Sequence, residues 1–265
     1  MPKRIKKNKG NEVSAHLQKR FAEYGITLPQ KEHKVVKLDL TEPHQKYHLK
    51  DGTEVDGTTR ALVYVPKPAL VHWGAKLGRE GKSPDKELKT AGRIGTIAHF
   101  LCQCDLLGWE PDLSDCDGDE VKSAQVAFGA YRTWFEQSGL RPVAVEMQLV
   151  SECYRFGGTI DLIGLDENED LTLVDFKTSN GLYESYDFQV AAYATLFEEN
   201  FRRLPIRNLL LVRMDKTKGV HQTRQLTSWK RQWEVYVALL RLAKRIKDIS
   251  AWQECNKPLQ AEVVK

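Results

Sequence analysis

No apolar run in this sequence approaches the roughly 20 residues that a membrane-spanning helix requires, so no membrane-spanning helix is expected. Cysteine is scarce: five residues, an odd number at irregular spacing, which argues against a disulfide framework. Cys102 and Cys104 are two apart, roughly 200° around a helix, and cannot chelate one metal together. Charge of one sign is also scarce. A net +4 over 265 residues does not by itself predict nucleic-acid binding. The start, MPKRIKKNKG, lacks the apolar stretch of a secretory signal and the serine and arginine content of a transit peptide. There is no internal repeat and, apart from that basic tail, no low-complexity segment. What these absences leave is the composition of an ordinary globular protein. Its expected place is an intracellular, reducing compartment: cytoplasm, a host's cytoplasm for a viral chain, or a mitochondrion.

Residues 1–30 read as a basic, peripheral and flexible segment, and 31–265 as one domain. KVVKLDL, KYHLKDG and ALVYV suggest short strands and turns, and PKPALVHWGAKLG a short helix opening on proline. GKSPDKE is a loop in this reading. TAGRIGTIAHFLCQCDLL is a helix, with Ile94, Ile97, Ala98, Leu101 and Leu106 toward the core. WEPDLSDCDGDE reads as an acidic loop, and SAQVAFGAYRTWFEQSG as a second helix stopped by Gly139. The period then changes to two. PVAVEMQLV, FGGTIDLIGL and LTLVDFKTS form a three-strand meander. A helix (YDFQVAAYATLFEENF), two strands (RNLLLVRM, VHQTRQL) and a long helix from Ser228 complete the chain. The order predicts an α/β or α+β fold with a mixed sheet.

Charged residues interrupt the meander where burial is expected. Centring the LIGLDENEDLTL hairpin on Asn168 sets Asp161 opposite Asp175, and directly opposed residues have Cβ atoms about 4.5–5.5 Å apart. Lys177 lies two further along and points the same way. A turn near Cys153 and Tyr154 sets Glu146 opposite Asp161, unless a bulge shifts the register. By the same alternation Ile163 and Leu173 share the acidic face, while Ile160, Leu162, Val174 and Phe176 take the other. Three carboxylates so close repel each other, and burial worsens this. Either they protonate or a cation sits among them; a divalent metal such as Mg²⁺ suits an oxygen ligand set. A structural ion pair of Lys177 with Asp161 or Asp175 is the plainer reading, and it accounts for one carboxylate.

GGTIDLIG followed by LVDFKTS resembles the PD-(D/E)XK nuclease superfamily, in its RecB-like exonuclease branch. Asp161 matches the first acid of that signature, with Ile160 in place of proline, and Asp175-Phe176-Lys177 matches the second element, with Asp in place of Glu. Gly95-Thr-Ile-Ala-His99 fits the branch's upstream G-x-x-x-H pattern and Gln189-Val-Ala-Ala-Tyr193 its Q-x-x-x-Y element. Each element is common by chance, but all occur in order over about residues 93–195. The stretch VDGTTRALVYVPKPALVHWGAKLG is also similar to the corresponding region of phage and mitochondrial members, the mitochondrial genome maintenance exonuclease among them.

The resemblance implies a restriction-endonuclease-like core, a mixed central β-sheet flanked by α-helices. It implies Mg²⁺- or Mn²⁺-dependent hydrolysis of DNA phosphodiesters, usually from ends, with single-stranded DNA or free ends as partner. Asp161 and Asp175 would hold the metal, with His99 and the Phe176 carbonyl as further ligands and Glu146 binding directly or through water. Lys177 would orient the attacking water and offset charge at phosphorus. Gln189 and Tyr193 would contact the DNA backbone or groups behind the site. Without the resemblance, His99 reads as an ordinary packed histidine, and Gln189 and Tyr193 as part of a sheet-facing stripe. The carboxyl-terminal region has Cys255 alone, so the iron–sulfur cluster of some branch members is not expected. Arg202, Arg203, Arg207, Arg213, Lys216 and Lys218 suit either a phosphate track or a solvated surface. Trp73, Trp109 and Tyr183 suit base stacking but are not singled out. An exonuclease in recombination, repair or replication is the leading expectation. A flap or branched-DNA endonuclease and a non-catalytic DNA-binding module are the alternatives.

Overall fold

A computed structural model describes residues 13–41 and 45–255, without the side chains of 251–255. In chain order come α1 (Ala15–Glu23), β1 (Val35–Lys37), β2 (Tyr47–His48), β3 (Glu54–Val55), α2 (Thr58–Ala61) with a 3-10 turn (Leu62–Tyr64), and α3 (Pro68–Arg79). Then come α4 (Pro84–Leu107), β4 (Glu110–Asp112) and α5 (Gly118–Ser138). The meander is β5 (Arg141–Ser151), β6 (Phe156–Leu165) and β7 (Leu171–Lys177). It is followed by α6 (Glu184–Asn200), β8 (Ile206–Met214), β9 (His221–Leu226) and α7 (Lys230–Cys255).

The five-stranded sheet runs β5-β6-β7-β8-β9, antiparallel except for the parallel β7–β8 pair that α6 connects. It is the mixed sheet expected. One face is covered by α4 and α5 over Leu162, Val174, Phe176, Val212 and Met214. The other is covered by α6 and α7 over Ile163, Leu173, Leu209 and Leu211. Over β6 and β7 both faces are covered, so β6 is almost wholly buried from end to end. The helices end where local chemistry says they should. Asp117 caps α5 by accepting from the backbone N–H groups of Asp119 and Glu120, and Gly139 closes it at φ 64°. The β6–β7 hairpin closes on Asp166, whose Oδ1 accepts from the N–H of Asn168 and of Asp170.

Several local expectations are corrected. ALVYV is not a strand: Ala61 and Leu62 are adjacent and both buried while Val63 is 54 % exposed, a helical turn rather than an alternation. GKSPDKE is only partly loop, since Ser83 caps α4 and Pro84 opens it. The acidic loop contains β4, which pairs in parallel with β1. Of the segment expected to be peripheral, residues 1–12 lie outside the described residues, but α1 is docked. Phe21 is fully buried in the α6–α7 core, and Val13 and Ile26 join it. Among the described residues no helix is long and apolar enough to cross a membrane.

Candidate active site

The expected registers hold, and they break at the site. β5 pairs with β6 as Val145↔Leu162 and Met147↔Ile160, the register that sets Glu146 opposite Asp161; β6 pairs with β7 as far as Leu162↔Val174, the register of Asp161 opposite Asp175. The bulge falls away from the site, between Pro142 and Ala144. Glu146 itself has φ 49°, a left-handed backbone unusual for a non-glycine residue in a strand. The alternation slips there in both strands. Val145 and Leu162 pack on the α4–α5 side, whereas Met147 and Ile160, on the other side of the slip, pack on the α6–α7 side. The expected grouping of Ile160 with Leu162 is thereby corrected. Two residues of β6 in succession, Asp161 and Leu162, serve the α4 side.

Asp161 uses what this slip frees. Its Oδ2 accepts from the backbone N–H of Phe176 at 2.6 Å, a donor beyond the last β6–β7 pair. Its Oδ1 lies 3.6 Å from His99 Nδ1 on α4. Ligand atoms of His99, Glu146 and Asp161 all lie within 4.8 Å of one another. Asp175, 2 % exposed, stands outside that trio, with Oδ2 2.5 Å from Lys177 Nζ. The Lys177 ammonium sits 4.9 Å from the ring centroid of Tyr186 on α6, a cation–π contact. Thus the acidic row falls into two parts, a His–Glu–Asp trio and an Asp–Lys pair. The plainer reading, an ion pair, accounts for the second part alone.

The protonation pattern follows from this crowding. Burial, and then the Asp161 charge, pushes Glu146 up to about 8. Burial pushes Asp175 up to about 6, with Lys177 pulling against it and Asp161 adding to it. Asp161 goes the other way. Burial would raise it, but the His99 ring, Lys177 and the Phe176 N–H together hold it below the usual carboxylate range. His99 is raised, since Asp161 and Glu146 outweigh its desolvation; its side chain keeps 30 % exposure. Three acids within reach of one another are therefore not all charged unless a cation joins them. Asp175 Oδ2 is also buried without a properly directed hydrogen bond. A histidine nitrogen and the carboxylate oxygens of Glu146 and Asp161 within 4.8 Å of one another fit a divalent metal.

Gln189 and Tyr193 come to the same region in an unexpected way. They are 7 % and 6 % exposed, and Gln189 Nε2 donates to Tyr193 Oη at 2.9 Å. At this burial neither presents a free face to solvent. Gly158 permits this placement, because a Cβ there would come within 2.6 Å of Tyr193 Cε1. Phe176 contributes its N–H, and its ring packs against Tyr131 and Trp134. Gly95, one turn before His99, lets α4 approach Thr178; a Cβ would lie 3.1 Å from Thr178 Oγ1.

Sequence reasoning missed the braces of the loop after Lys177. Arg213 donates to the Ser179 carbonyl at 2.7 Å and Arg224 to the Leu182 carbonyl at 2.9 Å. Arg213 is also paired with Asp215, so it is committed internally rather than available to a phosphate track. Tyr186 over Lys177 was equally illegible, since no spacing marks an aromatic as a cation's neighbour. Trp109 lies under Lys34 Nζ, and Tyr183 packs edge-on against Tyr186. Cys102 and Cys104 are buried free thiols.

Among curated proteins no significant match is found. Two solved structures are similar at low identity. One, SSO0001, is 12 % identical with a TM-score of 0.35, covering 87 % of this chain and 84 % of its own. The other, from Eubacterium rectale and described provisionally as an exonuclease, is 13 % identical with a TM-score of 0.33, covering 49 % and 55 %. Both superpose only loosely. The family comparison is more direct: a sequence model of the PD-(D/E)XK nuclease superfamily matches residues 116–257, more than half the chain, which includes Glu146, Asp161, Asp175 and Lys177 and leaves His99 just upstream. The chain therefore belongs to the PD-(D/E)XK nuclease superfamily, hydrolases that use divalent metal ions.

Proposed function

We propose that the protein is a metal-dependent DNA exonuclease of the RecB-like branch, hydrolysing phosphodiester bonds from single-stranded or processed ends in recombination, repair or replication. The observation that carries the nuclease reading is the His99–Glu146–Asp161 trio beside the buried Asp175–Lys177 pair. His99, Glu146, Asp161 and Asp175 would hold the ion, with the Phe176 carbonyl as a further ligand. A divalent cation bound there supplies charge neutralisation at the scissile phosphate and a water of lowered pKa. The imidazole in the set favours Mn²⁺ over Mg²⁺.

The chain's own groups divide the remaining work. The Phe176 N–H fixes the Asp161 carboxylate in one orientation. Lys177 is held between Asp175 and the Tyr186 ring, and its ammonium orients the nucleophile and offsets charge developing at phosphorus. Arg213 and Arg224 keep the following loop from moving Lys177. Gln189 and Tyr193 back the Asp175 side of the site.

Digestion of end-labelled single- and double-stranded DNA with Mg²⁺ or Mn²⁺ tests this. Products released progressively from ends support the exonuclease, and comparison of 5′ with 3′ labels reads polarity. Cutting of circular single-stranded DNA would replace it with an endonuclease on the same fold. A parent that binds DNA but cuts in none of these digests, with Lys177→Ala indistinguishable from it, would leave a DNA-binding module.

A further inference from the structure

The two glycines before Thr159 serve opposite faces of β6. Gly158 admits Tyr193 on the α6 side, whereas a Cβ on Gly157 would overlap Cβ, Cγ and Cδ1 of Tyr47. Tyr47 belongs to β2, far upstream in sequence. Its ring lies across a point where two segments meet: Gly57 and Gly157 form an isolated parallel bridge, and the Gly157 N–H donates to the Asp56 carbonyl at 3.0 Å. A Cβ on Gly57 would be 3.1 Å from Tyr47 Cε2. Glycine is required at 157 by this approach and not by any turn. The ring is thereby aimed along β6, and its Oη comes 2.9 Å from Thr159 Oγ1.

Thr159 precedes Asp161 by two residues, so both share the strand face that meets α4, about 6.6–6.8 Å apart along the strand. That is close to the interval between neighbouring phosphates of an extended single strand. Both Tyr47 and Thr159 are half-buried rather than sealed in the core. Proton counting then decides what the pair offers. Two hydroxyls carry two protons, and the bond between them uses one, whichever donates. Among the described residues neither makes another hydrogen bond, so one O–H is left to donate outward. Hydroxyl donors suit this position better than an ammonium. A lysine here would be drawn onto Glu146 and Asp161 and would compete for the metal-binding oxygens, while a neutral donor can hold a phosphate oxygen without doing so.

We infer that the Tyr47–Thr159 hydroxyl pair binds a non-bridging oxygen of the phosphate adjoining the scissile one, which makes the β2–β3 hairpin a wall of the DNA cleft. The inference rests on the proposed nuclease reading only in taking Asp161 to mark the scissile position. The test uses the full chain and binding in Ca²⁺, read by fluorescence anisotropy, so that it does not depend on cleavage. The probes are single-stranded oligonucleotides, each carrying one uncharged methylphosphonate linkage moved stepwise along the strand. The parent is expected to lose about tenfold in affinity at one linkage position because of this pair. The Tyr47→Phe/Thr159→Val double variant, which keeps both shapes, is expected to lose that sensitivity and keep the others. Gly157→Ala, which unseats the ring, is expected to reproduce the double variant's profile; in digests KM rises with kcat little changed. A merely structural role would not erase sensitivity at one linkage. A double variant with the parent's methylphosphonate profile overturns the inference and leaves the nuclease reading standing. A parent that binds with the expected profile but never cuts overturns the nuclease reading and keeps the pair. A parent that binds no oligonucleotide overturns both.

Discussion

Lys177 is where the charges of the site are decided. Its side chain is 14 % exposed, and its pKa is raised by Asp175 and Asp161 against the pull of burial. Replacing it with alanine leaves Asp175 buried and unpaired, which favours the protonated acid. Lys177→Ala and Asp161→Asn are each expected to lower kcat by about 10²–10³-fold or more with DNA binding retained, measured in single-turnover digests. The trio makes a second residue-scale prediction, about pH. Glu146 at about 8 and Asp175 at about 6 keep protons in the folded chain that the unfolded chain releases near 4.5 and 3.8. His99, also raised, acts in the same sense. Stability from these groups is complete at low pH and is lost as pH rises through those folded values. Asp161 is lowered, so its contribution is lost only on acidification below the usual carboxylate range. In chelator the melting temperature should therefore fall between about pH 5 and pH 8, and added Mn²⁺ should restore it most at the alkaline end. A Glu146→Gln/Asp175→Asn variant should show a flatter slope in differential scanning calorimetry. Residue identity was the most legible level: Asp161, Asp175, Lys177 and His99 all converge, because a D-x-K strand signature and an upstream histidine are local patterns. Burial of Gln189 and Tyr193 was not legible, since a helix face does not say what will press against it.

At the scale of elements, the β5–β6 ladder has a bulge between Pro142 and Ala144 and a second irregular step at Glu146. The alternation turns over at the left-handed Glu146 in β5 and beside Asp161 in β6, where Asp161 faces His99 and accepts from the Phe176 N–H. A non-glycine residue at φ 49° costs on the order of 1 kcal/mol. Glu146→Gly is thus expected to raise stability in metal-free denaturant titrations by up to about 1 kcal/mol, since glycine adopts that backbone freely and a buried acid is removed. The same variant should weaken the Mn²⁺-induced rise in melting temperature; if the substituted protein is no more stable than its parent, the strain is not stored there. Strand registers were readable from the hairpin centres, because side-chain period and turn length constrain them jointly. The slip was not readable: nothing in VAVEMQLV marks Glu146 as left-handed.

At the scale of the whole molecule, the centre of the sheet is covered on both sides, and the α6–α7 side is finished by a segment from the far amino-terminal end. Phe21 fills that core at zero exposure, and Arg20 donates to the Arg203 carbonyl. Phe21→Ala should cost roughly 3–5 kcal/mol in a urea titration. A cost under about 1 kcal/mol would mean that α1 is not docked in solution. Since α6 carries Tyr186, Gln189 and Tyr193 behind the site, the loss should also weaken Mn²⁺-induced stabilisation.

By itself the sequence determined the types of the long helices and of the sheet strands, the pairing register of the meander and the residues that meet at its open end. Those follow from period, turn chemistry and short-range signature, all of which act between near neighbours along the chain. Only the tertiary structure decided that the acids divide into a His–Glu–Asp trio and an Asp–Lys pair, that Gln189 and Tyr193 lie behind the site, and that Tyr47 sits on Gly157. Such contacts join residues far apart in the chain. They are chosen by which side chains can share one close-packed volume and which buried charges can find a partner, and no local pattern carries that information.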